Sequence, residues 1–151
     1  MLRLLVVCTA NVCRSPLAAA ILRAKIPVES AQISSAGVRA LSGNLADPVV
    51  QQLALERGYG DLSTHRSQPV LPRLLAQHDL VLAMEARHVA DILAMSPELT
   101  GRVRRFAEPI KELTDIADPI GQERAVYEQC LGVLEQGAVL WEKRLKQMGM
   151  I

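Results

Sequence analysis

Short apolar runs alternate along this chain with longer stretches whose apolar residues recur at helical spacing. The first run, Leu2 to Val7, is almost wholly apolar and ends at Cys8. A run this short, rich in Leu and Val and followed by polar residues, is typical of a buried strand. A helical pattern then begins, with Ser15 predicted as its N-cap and Pro16 as its first helical residue. The segment therefore predicts a strand, a loop and a helix in that order.

The rest of the chain repeats this alternation. We predict further strands at 32–36, 79–84 and 102–106, and helices at 16–25, 48–57, 73–77, 85–94 and 122–147. The last helix has a predicted inner face formed by Val126, Cys130, Val133, Leu134, Trp141 and Leu145. Strands that alternate with helices favour parallel βαβ units. The sequence thus predicts one α/β domain over residues 1–151, with a four-stranded parallel sheet and helices on both faces.

The amino-acid composition argues against several functional classes of protein. The 151 residues are 50% hydrophobic and 22% charged, as in ordinary globular proteins, and the net charge of +1 argues against coating nucleic acid. No apolar stretch is long enough to span a membrane, so we expect a cytoplasmic protein without membrane insertion. Three Cys and three scattered His favour neither a disulfide scaffold nor a zinc site. The basic cluster at 102–105 is either a partner-binding patch or a solvated edge.

The loop from Cys8 to Arg14 has the composition of an anion site. Its backbone N–H groups, the following helix N-terminus and the planar guanidinium of Arg14 all favour phosphate oxygens. A thiol in that field loses its proton readily, and the thiolate is the nucleophile. The loop thus combines a nucleophile with an oxyanion cradle, which suits attack on phosphorus. The same spacing would also arise from a small buried Cys and a surface Arg.

The motifs resemble those of a known family. VVCTANVCRSP, with its Cys-x5-Arg-Ser near the N-terminus, is similar to the phosphate loop of low-molecular-weight protein tyrosine phosphatases. Ala117-Asp118-Pro119 matches the family's Asp-Pro motif, and SSAG at 34–37 and DLVLAME at 79–85 also fit. The resemblance is strongest to bacterial members that accompany capsule and exopolysaccharide export. It implies a three-layer α/β/α fold with strand order 2-1-3-4 and the phosphate loop after strand 1.

The resemblance also assigns catalytic roles. Cys8 would attack phosphorus and form a phosphocysteine, and Asp118 would protonate the leaving oxygen and later activate water. From the residues alone, Asp118 is equally a helix cap. Arg14 would hold the phosphate oxygens together with the phosphate-binding loop, which comprises Thr9, Ala10, Asn11, Val12, Cys13 and Ser15. We expect no metal or other cofactor, and inorganic phosphate as product and inhibitor.

Other positions match family residues that support the loop. The resemblance implies that Asn11, Ser15, Ser35 and His65 orient it, although Ser35 also fits a strand-end hydroxyl and His65 a surface histidine. It further implies a reversible disulfide between Cys8 and Cys13 that protects the nucleophile from over-oxidation. The alternative for Cys13 is a small packed residue that stays reduced.

The resemblance is incomplete at the mouth of the site. Many relatives carry Tyr directly after the Asp-Pro pair, whereas this chain has Ile120 and Gly121. The expected partner is a phosphotyrosine protein, specifically the tyrosine-rich tail of an autokinase that controls capsule or exopolysaccharide production. Three rival functions stay open: an arsenate reductase of the same fold, a phosphocysteine carrier, and a phosphotyrosine-binding protein without turnover. The arsenate reductases need two further cysteines, and this chain has only Cys130, on a predicted core face.

Overall fold

A single parallel sheet forms the centre of the molecule. The computed structural model describes all 151 residues. Its strands are β1 (Leu2–Cys8), β2 (Ala31–Gly37), β3 (Leu80–Ala83) and β4 (Val103–Arg105), all parallel and in the order β2-β1-β3-β4. The predicted α/β fold and strand order 2-1-3-4 are therefore confirmed. β3 and β4 are shorter than predicted because only their central residues pair with a neighbouring strand.

Five α-helices flank the sheet. They are α1 (Arg14–Lys25), α2 (Pro48–Glu56), α3 (Pro72–Ala76), α4 (Ala86–Met95) and α5 (Arg124–Gln147), and a 3-10 turn covers Pro97–Leu99. All five lie within about two residues of their predicted bounds, which is the usual scatter at helix ends. None of them is both long enough and apolar enough to cross a membrane.

The predicted start of α1 is wrong. The N-cap is Cys13, no side chain caps the helix, and Ser15 is already inside the first turn. The Ser15 hydroxyl instead accepts a hydrogen bond from the Asn11 side chain and contacts the Cys8 sulfur. These contacts within the loop outweigh the usual preference of serine for the N-cap position. Pro16 is tolerated because it remains in the first turn, where a backbone N–H has no partner within the helix.

Alternating residues of the strands build two hydrophobic layers. Leu4 and Val6 belong to a larger cluster that includes residues of α1, α2 and α5, whereas Leu5 and Val7 belong to a smaller one with residues of α3 and α4. Of the predicted inner face of α5, Cys130, Leu134, Trp141 and Leu145 are buried. Val126 and Val133 are only half-buried, because the buried stripe follows Tyr127 and Leu131.

Two glycines of α5 provide a matched test of core packing. A Cβ at Gly137 would lie 2.5 Å from Cε1 of the fully buried Phe106, whereas a Cβ at the exposed Gly132 would meet nothing within 4 Å. We predict that Gly137→Ala lowers the free energy of unfolding by about 1–3 kcal/mol through overpacking. Gly132→Ala should raise it by about 0.5–1 kcal/mol through helix propensity. Urea unfolding measures both, and equal stability of the two variants would contradict the packing constraint.

Candidate active site

The loop after β1 lies at the carboxyl edge of the sheet. Cys8 ends β1 in register with Gly37, the last residue of β2. Ligands of open parallel sheets bind at this edge. Gly37 has no space for a side chain, because a Cβ there would lie 2.5 Å from the Thr9 carbonyl oxygen and 2.9 Å from the Asn11 nitrogen. The close approach of β2 to the loop therefore requires glycine at this position.

Asn11 fixes the shape of the loop. Its φ of 58° is left-handed, a conformation that Asn adopts more readily than most residues. Its side-chain nitrogen donates to Ser15 Oγ at 2.8 Å and to Ser35 Oγ at 2.9 Å, and its Oδ1 accepts from the Gln68 backbone at 3.0 Å. Its carbonyl oxygen accepts from His65 Nε2 at 2.8 Å. The side chain of Asn11 is fully buried, so every one of these contacts is shielded from water.

His65 is held against the loop and is not a free surface residue. Burial lowers its pKa, and the hydrogen bond to the Asn11 carbonyl partly offsets that effect. The neutral imidazole is therefore favoured, with the proton on Nε2, since only a protonated nitrogen donates to a carbonyl. Gln68 also binds this region, through its backbone N–H and through a side-chain hydrogen bond to the Ser35 carbonyl. No sequence motif identified Gln68.

Two hydrogen-bond donors point at the Cys8 sulfur. The Asn11 backbone N–H lies 3.3 Å from Sγ, and the Ser15 hydroxyl lies 3.0 Å from it. Ser15 Oγ accepts from the Asn11 amide, and its single proton is within reach of both the Cys8 sulfur and the Ala36 carbonyl oxygen, 3.4 Å away. Both groups therefore lie where they can stabilise negative charge that develops on the sulfur during a reaction. The sulfur is buried, with Cys8 only 2% exposed.

Arg14 is a buried charge with fixed partners. Its side chain is 1% exposed, which excludes a surface arginine. Nη1 donates to Glu85 Oε2 at 2.6 Å and to the Ile116 carbonyl at 2.7 Å. Nη2 lies 3.3 Å from Thr9 Oγ1 and 3.6 Å from Asp118 Oδ2. The structure therefore brings Cys8, Arg14 and Asp118 to the same edge of the sheet.

Glu85 orients two arginines. Burial alone would raise its pKa, but hydrogen bonds from Arg87 and Arg14 outweigh burial and lower the pKa to about 2. Arg87 contacts Glu85 through Nε at 2.9 Å and also donates to Thr9 Oγ1 at 3.0 Å. One carboxylate thus holds both guanidinium groups beside the first residue of the loop. Glu85 was predicted only as a helix start, so its role at the site was missed.

His88 extends this network behind the loop. Its Nδ1 accepts from the Glu85 backbone N–H at 3.2 Å, so Nε2 carries the proton and donates to Thr9 Oγ1 at 2.8 Å. Burial lowers the pKa of His88, which favours this neutral form. Glu85 and His88 form a capping box at the start of α4. Their spacing of three residues directly after a strand was the available sequence signal.

Asp118 does not cap the last helix. α5 begins at Arg124 after Glu123, and no side chain caps it. Asp118 Oδ1 accepts from the Ile120 backbone at 3.1 Å, which leaves Oδ2 directed toward Arg14. The side chain is 35% exposed, so water and a substrate reach it. Ile120, which stands where many members of the family carry a tyrosine, is exposed beside it.

The remaining loop residues and thiols complete the site. Thr9, Ala10 and Val12 are half-buried, so this part of the loop is open to solvent. Cys13 and Cys130 are buried free thiols, and burial is the main cause that raises the pKa of each, to about 12 for Cys130. Cys130 lies near enough to Cys13 to contribute to its raised pKa. Sequence reasoning placed Cys130 in the core but not behind the loop.

Metal ligands are not assembled in this structure. No group of three or more His, Cys, Asp or Glu side chains is arranged to hold an ion. Arg14, Arg87 and the start of α1 provide positive charge at the loop.

The pH dependence of folding tests the Glu85 network. Since the pKa of Glu85 falls from 4.5 to about 2 on folding, its contribution is fully present above pH 4.5 and is lost as the pH falls toward 2. We predict that Glu85→Gln lowers the free energy of unfolding by about 3 kcal/mol at pH 7 and by less than half of that near pH 3. Glu98→Gln, at an exposed residue without an ion pair, is the control. A pH-independent difference between wild type and Glu85→Gln in urea unfolding would contradict the assignment.

Comparison with known proteins places this geometry in a family. The family model for low molecular weight phosphotyrosine protein phosphatase matches residues 3–149. The chain is 38% identical over 146 residues to a probable low molecular weight protein-tyrosine-phosphatase, EpsP, of Ralstonia nicotianae, covering 97% of each chain. It is 33% identical over 144 residues to the corresponding phosphatase Etp of Escherichia coli K12, covering 95% of each chain.

Solved structures agree with the sequence relatives. The tyrosine phosphatase AmsI of Erwinia amylovora superposes with a TM-score of 0.87 at 33% identity, over 95% of this chain and 93% of the other. The arginine phosphatase YwlE of Geobacillus stearothermophilus superposes with a TM-score of 0.89 at 31% identity, over 98% of this chain and 95% of the other. With the loop geometry and both sets of relatives in agreement, the chain belongs to the low molecular weight phosphotyrosine protein phosphatase family.

Proposed function

We propose that this protein hydrolyses phosphotyrosine in proteins through a phosphocysteine intermediate. The observation that supports this most directly is the convergence of Cys8, Arg14 and Asp118. The Asn11 N–H and the Ser15 hydroxyl contact the buried sulfur, and Arg14 Nη2 lies 3.6 Å from a carboxylate oxygen of Asp118. Nucleophile, oxyanion stabilisation and a proton donor are the three requirements for cleaving a phosphate monoester.

The first step transfers the phosphoryl group to sulfur. The Cys8 thiolate forms the S–P bond while the P–O bond to the tyrosine breaks, and Asp118 gives its proton to the departing phenolic oxygen. Arg14 Nη2 and the loop N–H groups hold the three equatorial oxygens, whose charge must be stabilised in the transition state. Glu85 and the Ile116 carbonyl fix Nη1, so the guanidinium is oriented before the substrate arrives.

The second step releases phosphate. The Asp118 carboxylate, now deprotonated, takes a proton from water as the water oxygen attacks phosphorus. The S–P bond breaks and the electron pair returns to Cys8. Ser15 Oγ and the Asn11 N–H then stabilise the departing thiolate, since both point at the sulfur. Asp118 thus ends the cycle protonated, and inorganic phosphate leaves as product and competes with substrate for the loop.

The depth of the sulfur favours long phosphorylated side chains. Cys8 is 2% exposed and Arg14 is 1% exposed, so the phosphate must pass below the protein surface. The phenyl ring of phosphotyrosine places the phosphate far enough from the peptide backbone to reach the sulfur. The shorter side chains of phosphoserine and phosphothreonine do not. Phosphoarginine also reaches this depth, and the similar fold of the YwlE arginine phosphatase makes it the second candidate substrate.

The proposed physiological partner is the tyrosine-rich tail of an autokinase that controls capsule or exopolysaccharide production. The support is the resemblance of the phosphate loop and the Asp-Pro motif to bacterial members that accompany such export systems. A flexible tail suits a buried nucleophile, because an extended segment presents one phosphotyrosine without displacing the loop. Removal of phosphate from the purified kinase by this enzyme is the direct test.

The proposed mechanism is tested by hydrolysis without metal and under reducing conditions. We predict that Cys8→Ser abolishes phosphate release from p-nitrophenyl phosphate and from a phosphotyrosine peptide. Asp118→Asn should lower kcat by about 10²–10⁴, the usual contribution of general acid–base catalysis. Asp91→Asn, at an exposed residue of α4, is the matched control and should keep wild-type activity.

Peptides that differ only in the phosphorylated residue test the substrate class. Turnover of the phosphotyrosine peptide above the phosphoarginine and phosphoserine peptides is the expected order. If the phosphoarginine peptide is turned over faster, the substrate assignment is wrong but the mechanism stands. Binding of phosphotyrosine without release of phosphate would identify a trap or carrier and overturn the proposal. Reduction of arsenate by this chain is not expected, because Cys130 is the only thiol beyond the loop and it is buried.

Reversible oxidation is the expected property of the loop thiols. Peroxide would oxidise Cys8 to a sulfenic acid, and the Cys13 thiol would then displace water to form a disulfide. We predict that wild type regains activity in a thiol reductant after peroxide treatment, whereas Cys13→Ser does not. Cys130→Ser is the matched control, since this buried thiol also lies behind the loop. A Cys8–Cys13 disulfide would be refuted if the Cys13→Ser variant regained full activity. It would also be refuted if only the Cys130→Ser variant failed to regain activity.

A further inference from the structure

A cavity of about 610 Å³ lies at the opposite edge of the sheet from the phosphate loop. Its wall includes Leu80 at the start of β3, Arg102 just before β4, and the last turns of α5. Leu80 is in register with Leu4, so roughly 13 Å of β1 separates this level from Cys8. The volume is in the range of pockets that bind small molecules. The cavity takes no part in the proposed phosphatase mechanism.

Part of the cavity wall is apolar. It is lined by Leu80, Trp141, Leu145, Met148 and Met150. Trp141 is held in place because its indole N–H donates to the Phe106 carbonyl at 2.7 Å. Met148 is 59% exposed at the rim, and methionine side chains adapt readily to ligands of different shape. Leu80, Trp141 and Leu145 are almost completely buried, so Met148 and Met150 provide most of the apolar surface that a hydrocarbon group could contact.

Three arginines also line the cavity. Arg104 and Arg144 both bind Glu108, which is the only carboxylate between them. The Arg144 guanidinium also lies over the Trp141 ring, 5.0 Å from its centroid. One carboxylate is thus shared by two guanidinium groups, which leaves positive charge next to the apolar wall.

Arg102 adds a charge that has no partner. Its side chain is exposed and makes no ion pair or hydrogen bond. The remaining carboxylate of the wall, Asp79, is bound to Arg3 outside the cavity. Arg105 belongs to the same basic cluster in the sequence, but it donates instead to the carbonyls of Leu113 and Thr114. The cluster is therefore divided, and two of its three arginines line the cavity.

We infer that this cavity is a second binding site, for a small amphipathic carboxylate. Its acid group pairs with Arg102 and Arg144, and its hydrocarbon body lies against Met148 and Met150, next to the edge of Trp141. An anion is favoured because the arginines of the wall outnumber its carboxylates by three to two, and Asp79 is already neutralised by Arg3. A guanidinium matches the two oxygens of a carboxylate in a bidentate contact. A purely polar anion would leave the exposed side chain of Met148 in water.

Trp141 provides a direct readout, because it is the only tryptophan of the chain. Octanoate added to the reduced wild-type enzyme should change the tryptophan fluorescence saturably. Octanamide has the same hydrocarbon body without the charge, so it should bind about tenfold more weakly. Equal affinity for the two compounds, or no saturable change with octanoate, would overturn the inference.

Two variants and one competitor locate the site. Arg102→Ala should weaken octanoate binding about tenfold and leave hydrolysis of p-nitrophenyl phosphate unchanged. Lys143→Ala removes the same charge from an exposed residue next to Arg144 that does not line the cavity, and should have no effect. Unchanged binding in Arg102→Ala would refute the site. Displacement of octanoate by inorganic phosphate would also refute it, because phosphate binds at the loop around Cys8.

Discussion

The buried guanidinium of Arg14 is the constraint on which the site depends. A charge that is 1% exposed is stable only if its donors are satisfied, and Glu85 and the Ile116 carbonyl satisfy Nη1. Removing one partner of such a pair leaves an uncompensated charge, which costs about 3–5 kcal/mol. Arg14 therefore fixes the segment after β3 and the loop that carries Asp118, and it is the same side chain that we propose to contact the phosphate.

Asn11 has the corresponding role for the backbone of the loop. Its amide joins Ser15 on α1 to Ser35 on β2, and its oxygen fixes the Gln68 backbone. These contacts stabilise the left-handed turn that directs the Asn11 N–H at the Cys8 sulfur. Preorganised donors of this kind stabilise charge without reorganisation during the reaction. The same hydrogen bonds thus serve both stability and the proposed chemistry.

The sequence predicted the elements well because their signals are local. Period-2 and helical patterns, prolines and glycines gave five helices and four strands within a few residues. The start of α1 was predicted wrongly because Ser15 has a strong intrinsic preference for the N-cap. In the folded loop, contacts of Ser15 with Cys8 and Asn11 outweigh that preference. The catalytic roles of Cys8, Arg14 and Asp118 stay predictions until the variants are measured.

The sequence alone determined the α/β class, the position of the phosphate loop and the family resemblance, because a strand, a cysteine loop and a helix are adjacent in the chain. Only the tertiary structure decided which distant residues meet at that loop. No motif assigned Glu85, His88 or Gln68 to the site. Glu85 and His88 reach it because β1 and β3 are parallel and end at one edge of the sheet, and Gln68 reaches it from the segment between α2 and α3. The cavity beside Trp141 is likewise formed by segments separated in sequence, so its mixture of apolar and basic residues exists only in the folded chain.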